Sequence, residues 1–457
     1  MCINESQPRA RRPDFKVIAR NEAEENAYDY VSQRTNVKHT SVFGSVAHIV
    51  KGALGGGILG GHVAYLKGGL YVSLFLNVFF GFYMGYCLHL LVQSAQILYK
   101  RTQIPSMSYP DVGEASVACF PNPKVAKLSK LFRYIIDVVI IVDLYGACAC
   151  YQLIIAKSIK QLVEDVERTD MEGVNGHPHL KVYLAAMIIP MVLICLITHL
   201  KWLAPFSVVA NFVVLLAMFA TIYYSMQVNP GFANLKSHSD YYETLEFTGM
   251  IVFSMSCAGI VIPIENNMAE PKKFPLALFY GMFLIVLGTI MVSFFGYVGY
   301  LDKSESPITV NFPMTTFPKI LKGLIAVMIY VTHALNFWPP FNLCFYYLQK
   351  CHPENKVFFW ELVYRAIFVI VIAIVAIVFP NINSLMGFLG SVCLSNMAFI
   401  WPCLINILVL YERPGFGKYR WRLWRNLVMI AVGIFLLICG GLVNVNEMIS
   451  VFIQANL

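Results

Sequence analysis

The feature that most constrains this chain is a series of apolar runs, each long enough to cross a bilayer. A helix needs about 20 such residues at 1.5 Å per residue. Runs of that kind lie at 42–66, 70–99, 131–159, 182–200, 203–226, 244–268, 275–301, 317–348, 357–379, 385–411 and 427–453. Lipid offers no water to unpaired backbone groups, so runs of this length are expected to cross as helices. The expectation is an all-α integral membrane protein of about eleven transmembrane helices. Composition agrees: hydrophobic residues make up 58% and charged residues 13%, against roughly 45–50% and 25% in soluble domains.

The charges sit between the apolar runs. The net charge of +8 therefore reads as a topology signal and not as a nucleic-acid surface. With the N-terminus in the cytosol, most of the 34 Lys and Arg fall on the cytosolic side, as the positive-inside rule requires. Eleven spans then put the C-terminus outside. Residues 1–40 are polar and mixed in charge and are expected to be a disordered cytosolic tail; residues 41–457 form the transmembrane domain. The basic loop 412–426, with Arg420, Trp421, Arg422, Trp424 and Arg425, reads as interfacial anchoring on the cytosolic face, with a lipid- or partner-binding patch as the alternative. The twelve cysteines lie mostly within apolar runs, where free thiols act as small hydrophobes, and no structural disulfide is expected. Asn4 opens a glycosylation sequon on the cytosolic side, where it would stay unused.

Two runs are poor helices. Six glycines lie between Gly52 and Gly61, each costing about 1 kcal/mol relative to Ala in a helix. The sixth run carries Ser254-Met255-Ser256-Cys257-Ala258-Gly259 followed by Pro263, and proline removes a helical hydrogen bond. One such stretch is explained as well by close helix packing. Two of them, five spans apart, point to two five-helix repeats of opposite topology with a substrate site between them. The repeats would cover about 42–226 and 244–411, with an extra helix at 427–453. Free N–H groups of Gly55, Gly56, Gly57 and Ile58, where the first span restarts, would hold a carboxylate at a positive helix end. Carbonyls near Phe253, Ser254 and Met255, with Ser256 beside them, would accept from an ammonium. One site with both ends fits a free amino acid. No HExxH, GxSxG or P-loop motif is present, so an enzyme is not expected.

These residues also resemble a family. His48-Ile49-Val50-Lys51-Gly52 with the glycine run is similar to the opening span of proton-assisted amino acid transporters of the amino acid/auxin permease superfamily. So are Tyr109-Pro110-Asp111-Val112-Gly113-Glu114-Ala115, Pro263-Ile264-Glu265-Asn266, Trp360-Glu361-Leu362-Val363-Tyr364-Arg365 and Leu389-Gly390-Ser391-Val392. The resemblance runs from about Lys38 to the C-terminus. It implies an eleven-helix 5+5 inverted-repeat fold of the LeuT type with helices 1 and 6 broken, and symport of small neutral amino acids with protons. It implies no cofactor beyond the coupling proton; the expected partners are small amino acids and the lipid bilayer, with no nucleic acid and protein partners left open, in a plasma or endolysosomal membrane. His48 matches the family's first-span histidine, implicated in proton coupling; a capping or interfacial histidine is the other reading.

The chain departs from the pattern at Ser256 and Asn342, where members carry acids. Ala53 and Gly56 stand at positions that are often polar, and His62 replaces a proline. These changes remove polar groups from the site and motivate the alternative of an amino acid sensor with slow or no transport. Of the acids within spans, Asp137, Asp143 and Glu265, Asp143 lies deepest and is the expected substitute proton carrier; pairing with Lys51 or Arg365, or a place in a water-filled vestibule, is the other reading. Tyr145, Tyr151 and Phe337 are candidate lining residues, with packing as the competing role.

Overall fold

A computed structural model describes residues 14–19, 21–34, 39–166, 178–197, 204–228 and 235–456; the Asn4 sequon lies outside them. Each of the eleven apolar runs holds one or more helices over its described residues, with non-helical breaks in the first and sixth. The first is α2 (Val42–Ala53), a short 3-10 turn (Gly56–Gly60) and α3 (Gly61–Gly68). The second to fifth are α4 (Leu70–Thr102), α7 (Ser129–Glu164), α8 (Leu180–Cys195) and α9 (Ala204–Val228). The sixth is α10 (Tyr241–Ser254) with α11 (Val261–Asn266). Then follow α12 (Phe274–Tyr300), α13 (Thr316–Leu348) and α14 (Val357–Val378). The tenth joins α15 (Ile382–Phe388) to α16 (Trp401–Leu410) through a wide-turned π stretch, and the last runs from α17 (Trp421–Phe435) to α18 (Gly441–Asn456). Seven of these helices are long and apolar enough to span a membrane unaided, and the bent first pair makes eight. Short helices α1 (Glu22–Ala27), α5 (Tyr109–Ala118) and α6 (Pro123–Ala126) lie outside the spans.

The repeat is visible in which helices touch. Each of spans two, three and four packs on its equivalent five spans later: α4 on α12, α7 on α13, α8 on α14. Cross-contacts repeat as well. Span five (α9) lies on spans seven and eight (α12, α13), and span ten lies on spans two and three (α4, α7). Such reciprocity is what two inverted copies of one five-helix unit produce. Spans one, two, six and seven thus form one group and spans three, four, eight and nine another. The outer surface is apolar: Tyr71, Phe75, Phe79, Phe82 and Tyr86 make an exposed stripe along α4, as a lipid-facing surface must.

The N-terminal segment is not a disordered tail over its described part. Phe15, Ala19, Tyr30 and Arg34 are buried, and the N–H groups of Ile18 and Ala19 donate to the Arg101 carbonyl at 3.0 and 3.1 Å. The polar composition argued for disorder, but a few anchors dock the segment on the bundle. Thr40 then bonds to both sides of the chain after α11, donating to Asn267 O at 2.8 Å and accepting from Ala269 N–H at 3.0 Å.

Candidate functional site

The first span breaks where its glycines let other segments of the chain come close. A Cβ on Gly56 would stand 2.6 Å from the Tyr151 ring, and one on Gly57 would stand 3.2 Å from the Ser254 backbone. The two halves are bent by 47°. The N–H groups of Gly56 and Gly57 precede the first i→i−3 bond of the 3-10 turn and have no helical acceptor. Ile58 is fully buried behind them. In the sixth span, Pro263 falls in the first turn of α11, where its missing N–H costs nothing. The break is the open stretch between Ser254 and Val261.

The breaks are tied to each other. Ser254 Oγ lies 2.9 Å from both the Gly57 and the Met250 carbonyls. Phe253 O accepts from Ser256 N–H at 3.2 Å, Met255 is buried, and the Phe253 ring lies beside Gly57.

Against the first break lies a cavity of about 180 Å³, walled by Gly55, Gly56, Tyr151, Thr332 and Asn336 among largely apolar neighbours from α9 and α13. Phe253, Ser254, Met255 and Ser256 do not line it. The sixth break meets the first through the Ser254 hydroxyl, which donates to the Gly57 carbonyl. Polar groups facing the cavity come instead from α13, where Asn336 Nδ2 donates to Tyr151 Oη at 3.0 Å. Thr332 and Asn336 went unnoticed in the sequence. Their signal was a pair of polar residues four apart in an apolar span, which share a helix face. Asn342 is not on the cavity wall.

Phe337 turns away from the cavity. It is buried in a ladder with Tyr145, Phe341 and Phe345, with centroid spacings of 5.7, 5.5 and 5.5 Å, and Arg365 caps Phe341 at 4.5 Å. Tyr145 and Phe337 therefore pack, and of the three aromatic candidates Tyr151 alone meets the cavity.

His48 is exposed on α2, one turn from Lys51, the single charged residue on the cavity wall. Asp143 Oδ1 is buried without a hydrogen-bond partner. Its supposed partner Arg365 is held by Glu361 at 2.7 Å and by the Cys195 carbonyl. Asp137 lies 3.8 Å from Arg133 and accepts from Tyr347 Oη at 3.2 Å. Glu265 is fully engaged: Arg34 reaches its carboxylate and its carbonyl at 3.0 Å, and Gln96 donates at 3.1 Å. It is a structural acid at the tail-bearing end.

Inverted repeats with a cavity against a broken span define a multi-pass membrane carrier. The chain belongs to the family described as transmembrane amino acid transporter protein, whose model matches residues 38–445. It is 30% identical over 438 residues to the proton-coupled amino acid transporter-like protein pathetic of Drosophila melanogaster, covering 93% of this chain and 89% of that one. It is 22% identical to the probable amino acid transporter skat-1 of Caenorhabditis elegans, over 86% of each. Among solved structures it is similar to Mhp1, a nucleobase-cation-symport-1 family transporter in a closed conformation with bromovinylhydantoin bound. The TM-score is 0.51 at 13% identity, over 93% of this chain and 94% of that one. At that identity the likeness speaks for the fold alone.

Proposed function

We propose that this chain is a secondary active transporter that carries small neutral amino acids together with protons. The observation that carries the reading is the N–H group of Gly56, which precedes the first bond of the 3-10 turn and sits at the wall of a small cavity. Backbone donors at the start of a restarted helix favour a carboxylate. The Asn336 and Thr332 side-chain oxygens on the same cavity wall suit an ammonium. Ala210, Val213, Ala217 and Ile325 leave an apolar end for a short side chain. The volume is well below the roughly 300–1,000 Å³ of sites for drug-sized ligands. With Lys51 on the wall and no carboxylate there, cationic amino acids are disfavoured.

Proton coupling draws support from the name of the fly relative, a proton-coupled amino acid transporter-like protein, and from two titratable groups, His48 and Asp143. His48 stands one turn from the cavity wall, and the unperturbed pKa of histidine near 6.5 suits a proton acceptor. Asp143 is the unpartnered acid of the third span. The reading puts the N-terminus in the cytosol, in a plasma or endolysosomal membrane.

The test is uptake of labelled glycine, alanine and proline into sodium-free proteoliposomes with the outside at acid or neutral pH. Acid-stimulated uptake that Gly56→Val abolishes is the expected result. Saturable binding without flux would replace it with the sensor reading. No binding or uptake of any of the three would overturn both.

A further inference from the structure

A second cavity, of about 560 Å³, lies at the tail-bearing end of the bundle, where α4, the end of α16 and the start of α17 meet Tyr30 and Lys272. Its wall carries Lys100, Lys272, Arg422 and Arg425 and no Asp or Glu. Several other cations at this end are matched with acids. Arg34 pairs with Glu265, Arg101 and Arg413 with Glu25, Arg133 with Asp111 and Glu114, and Lys273 with Glu270. Three of the cavity cations have neutral partners instead, and Lys272 is exposed at the rim. Arg425 lies over the rings of Tyr86 and Trp421, at 5.6 and 5.2 Å. It donates to Asn406 Oδ1 and Asn426 Oδ1 at 3.1 Å and to Tyr86 Oη at 3.0 Å. Arg422 donates to Gly415 O at 3.3 Å, and Lys100 to Asn26 Oδ1 at 3.4 Å. These contacts orient the side chains without neutralising them. His89, also on the wall, has a buried Nδ1 with no hydrogen-bond partner.

Four cations held in one cavity repel each other unless an anion joins them. Guanidinium and ammonium groups together suit phosphate oxygens, the first as a planar fork and the second as a compact point charge. The rim fixes where the anion comes from. Tyr86, Trp421, Trp424, Leu427 and Val428 are exposed beside the cavity, an aromatic and apolar border of the kind found where headgroups meet acyl chains. On the proposed cytosolic side the leaflet is anionic.

We propose that this cavity binds the phosphorylated headgroup of a phosphoinositide-type lipid, with Lys272, Arg422, Lys100 and Arg425 as its cationic ligands. A single net negative charge, as on phosphatidylserine, leaves most of the cavity charge unmatched. An inositol ring with several phosphates fills both the volume and the charge.

The full-length protein in nanodiscs tests this by native mass spectrometry. One arm contains phosphatidylcholine with phosphatidylinositol bisphosphate. A second contains phosphatidylserine at matched charge. A third contains phosphatidylcholine alone with soluble inositol hexakisphosphate added. The expected result is one retained bisphosphate lipid per protein. The double variant Lys272→Gln/Arg422→Gln should lower its retention about tenfold or more, since each basic residue near a membrane contributes about 1 kcal/mol. Unfolding in phosphatidylcholine alone should be unchanged. If the double variant does not fold, Lys272→Gln alone, at an exposed position, should show a several-fold loss. Equal retention of phosphatidylserine, or retention indifferent to both variants, would overturn the site. Binding of the soluble phosphate with no lipid retained would overturn the lipid as its source.

Discussion

At the scale of single residues, glycine does two different jobs in the breaks. Gly57 is hemmed in by backbone, since its added Cβ would meet the Ser254 Cα at 3.2 Å, and backbone cannot swing aside as a side chain can. Gly259 in the sixth break has nothing within 4 Å. Gly57→Ala is therefore expected to cut the initial rate of uptake at least tenfold, while Gly259→Ala leaves it within about twofold; both are read in proteoliposomes with matched protein content. Asn336→Ala should raise the KM for alanine more than it lowers the maximal rate, if its oxygen meets the ammonium in the ground state. The glycines were legible because a missing side chain is a local fact of sequence. Thr332 and Asn336 were not. A polar residue in an apolar helix says that it faces something, and only the packing of α13 on α7 says that the partner is Tyr151. The same limit explains the sixth break: its composition announced a break, but not that Ser254 would spend its hydroxyl on Gly57.

At the scale of elements, the end of the sixth span is held by the N-terminal segment. Arg34 satisfies Glu265 from a position 231 residues earlier, a pairing no local pattern could reveal. Both side chains are essentially inaccessible. Removing one partner of such a pair typically costs about 3–5 kcal/mol, because the other is left buried and charged. Arg34→Ala should therefore lower thermal stability clearly and speed hydrogen exchange over residues 261–269, whereas Lys16→Ala, in an exposed pair with Asp14, should do neither. The helices themselves were largely readable from the apolar runs, and so was the break in each repeat. Docking of the tail was not, since Phe15, Tyr30 and Arg34 are sparse anchors in a segment of polar composition.

At the scale of the whole molecule, two packed groups of helices share one cavity, and transport in such folds proceeds by rocking one group against the other. Proton coupling needs a group whose charge changes during that cycle. Asp143→Asn, which fixes the side chain in a neutral form resembling the protonated acid, is expected to flatten the dependence of uptake on external pH while exchange of preloaded alanine persists. If the pH profile of that variant matched the wild type, the proton would have to travel through another residue, with His48 next in line.

The two anchors at Arg34 and Thr40 carry a further consequence. Only a few residues separate the ion pair at Glu265 from the backbone bonds at Asn267 and Ala269, so the segment is tethered beside its own docking place. A short tether gives an effective local concentration on the order of millimolar. A free peptide copying residues 14–34 would have to approach that level to displace the attached copy. Release of the segment is thus set from within the chain, by whatever weakens Arg34 or its neighbours, and hardly at all by competitors in solution.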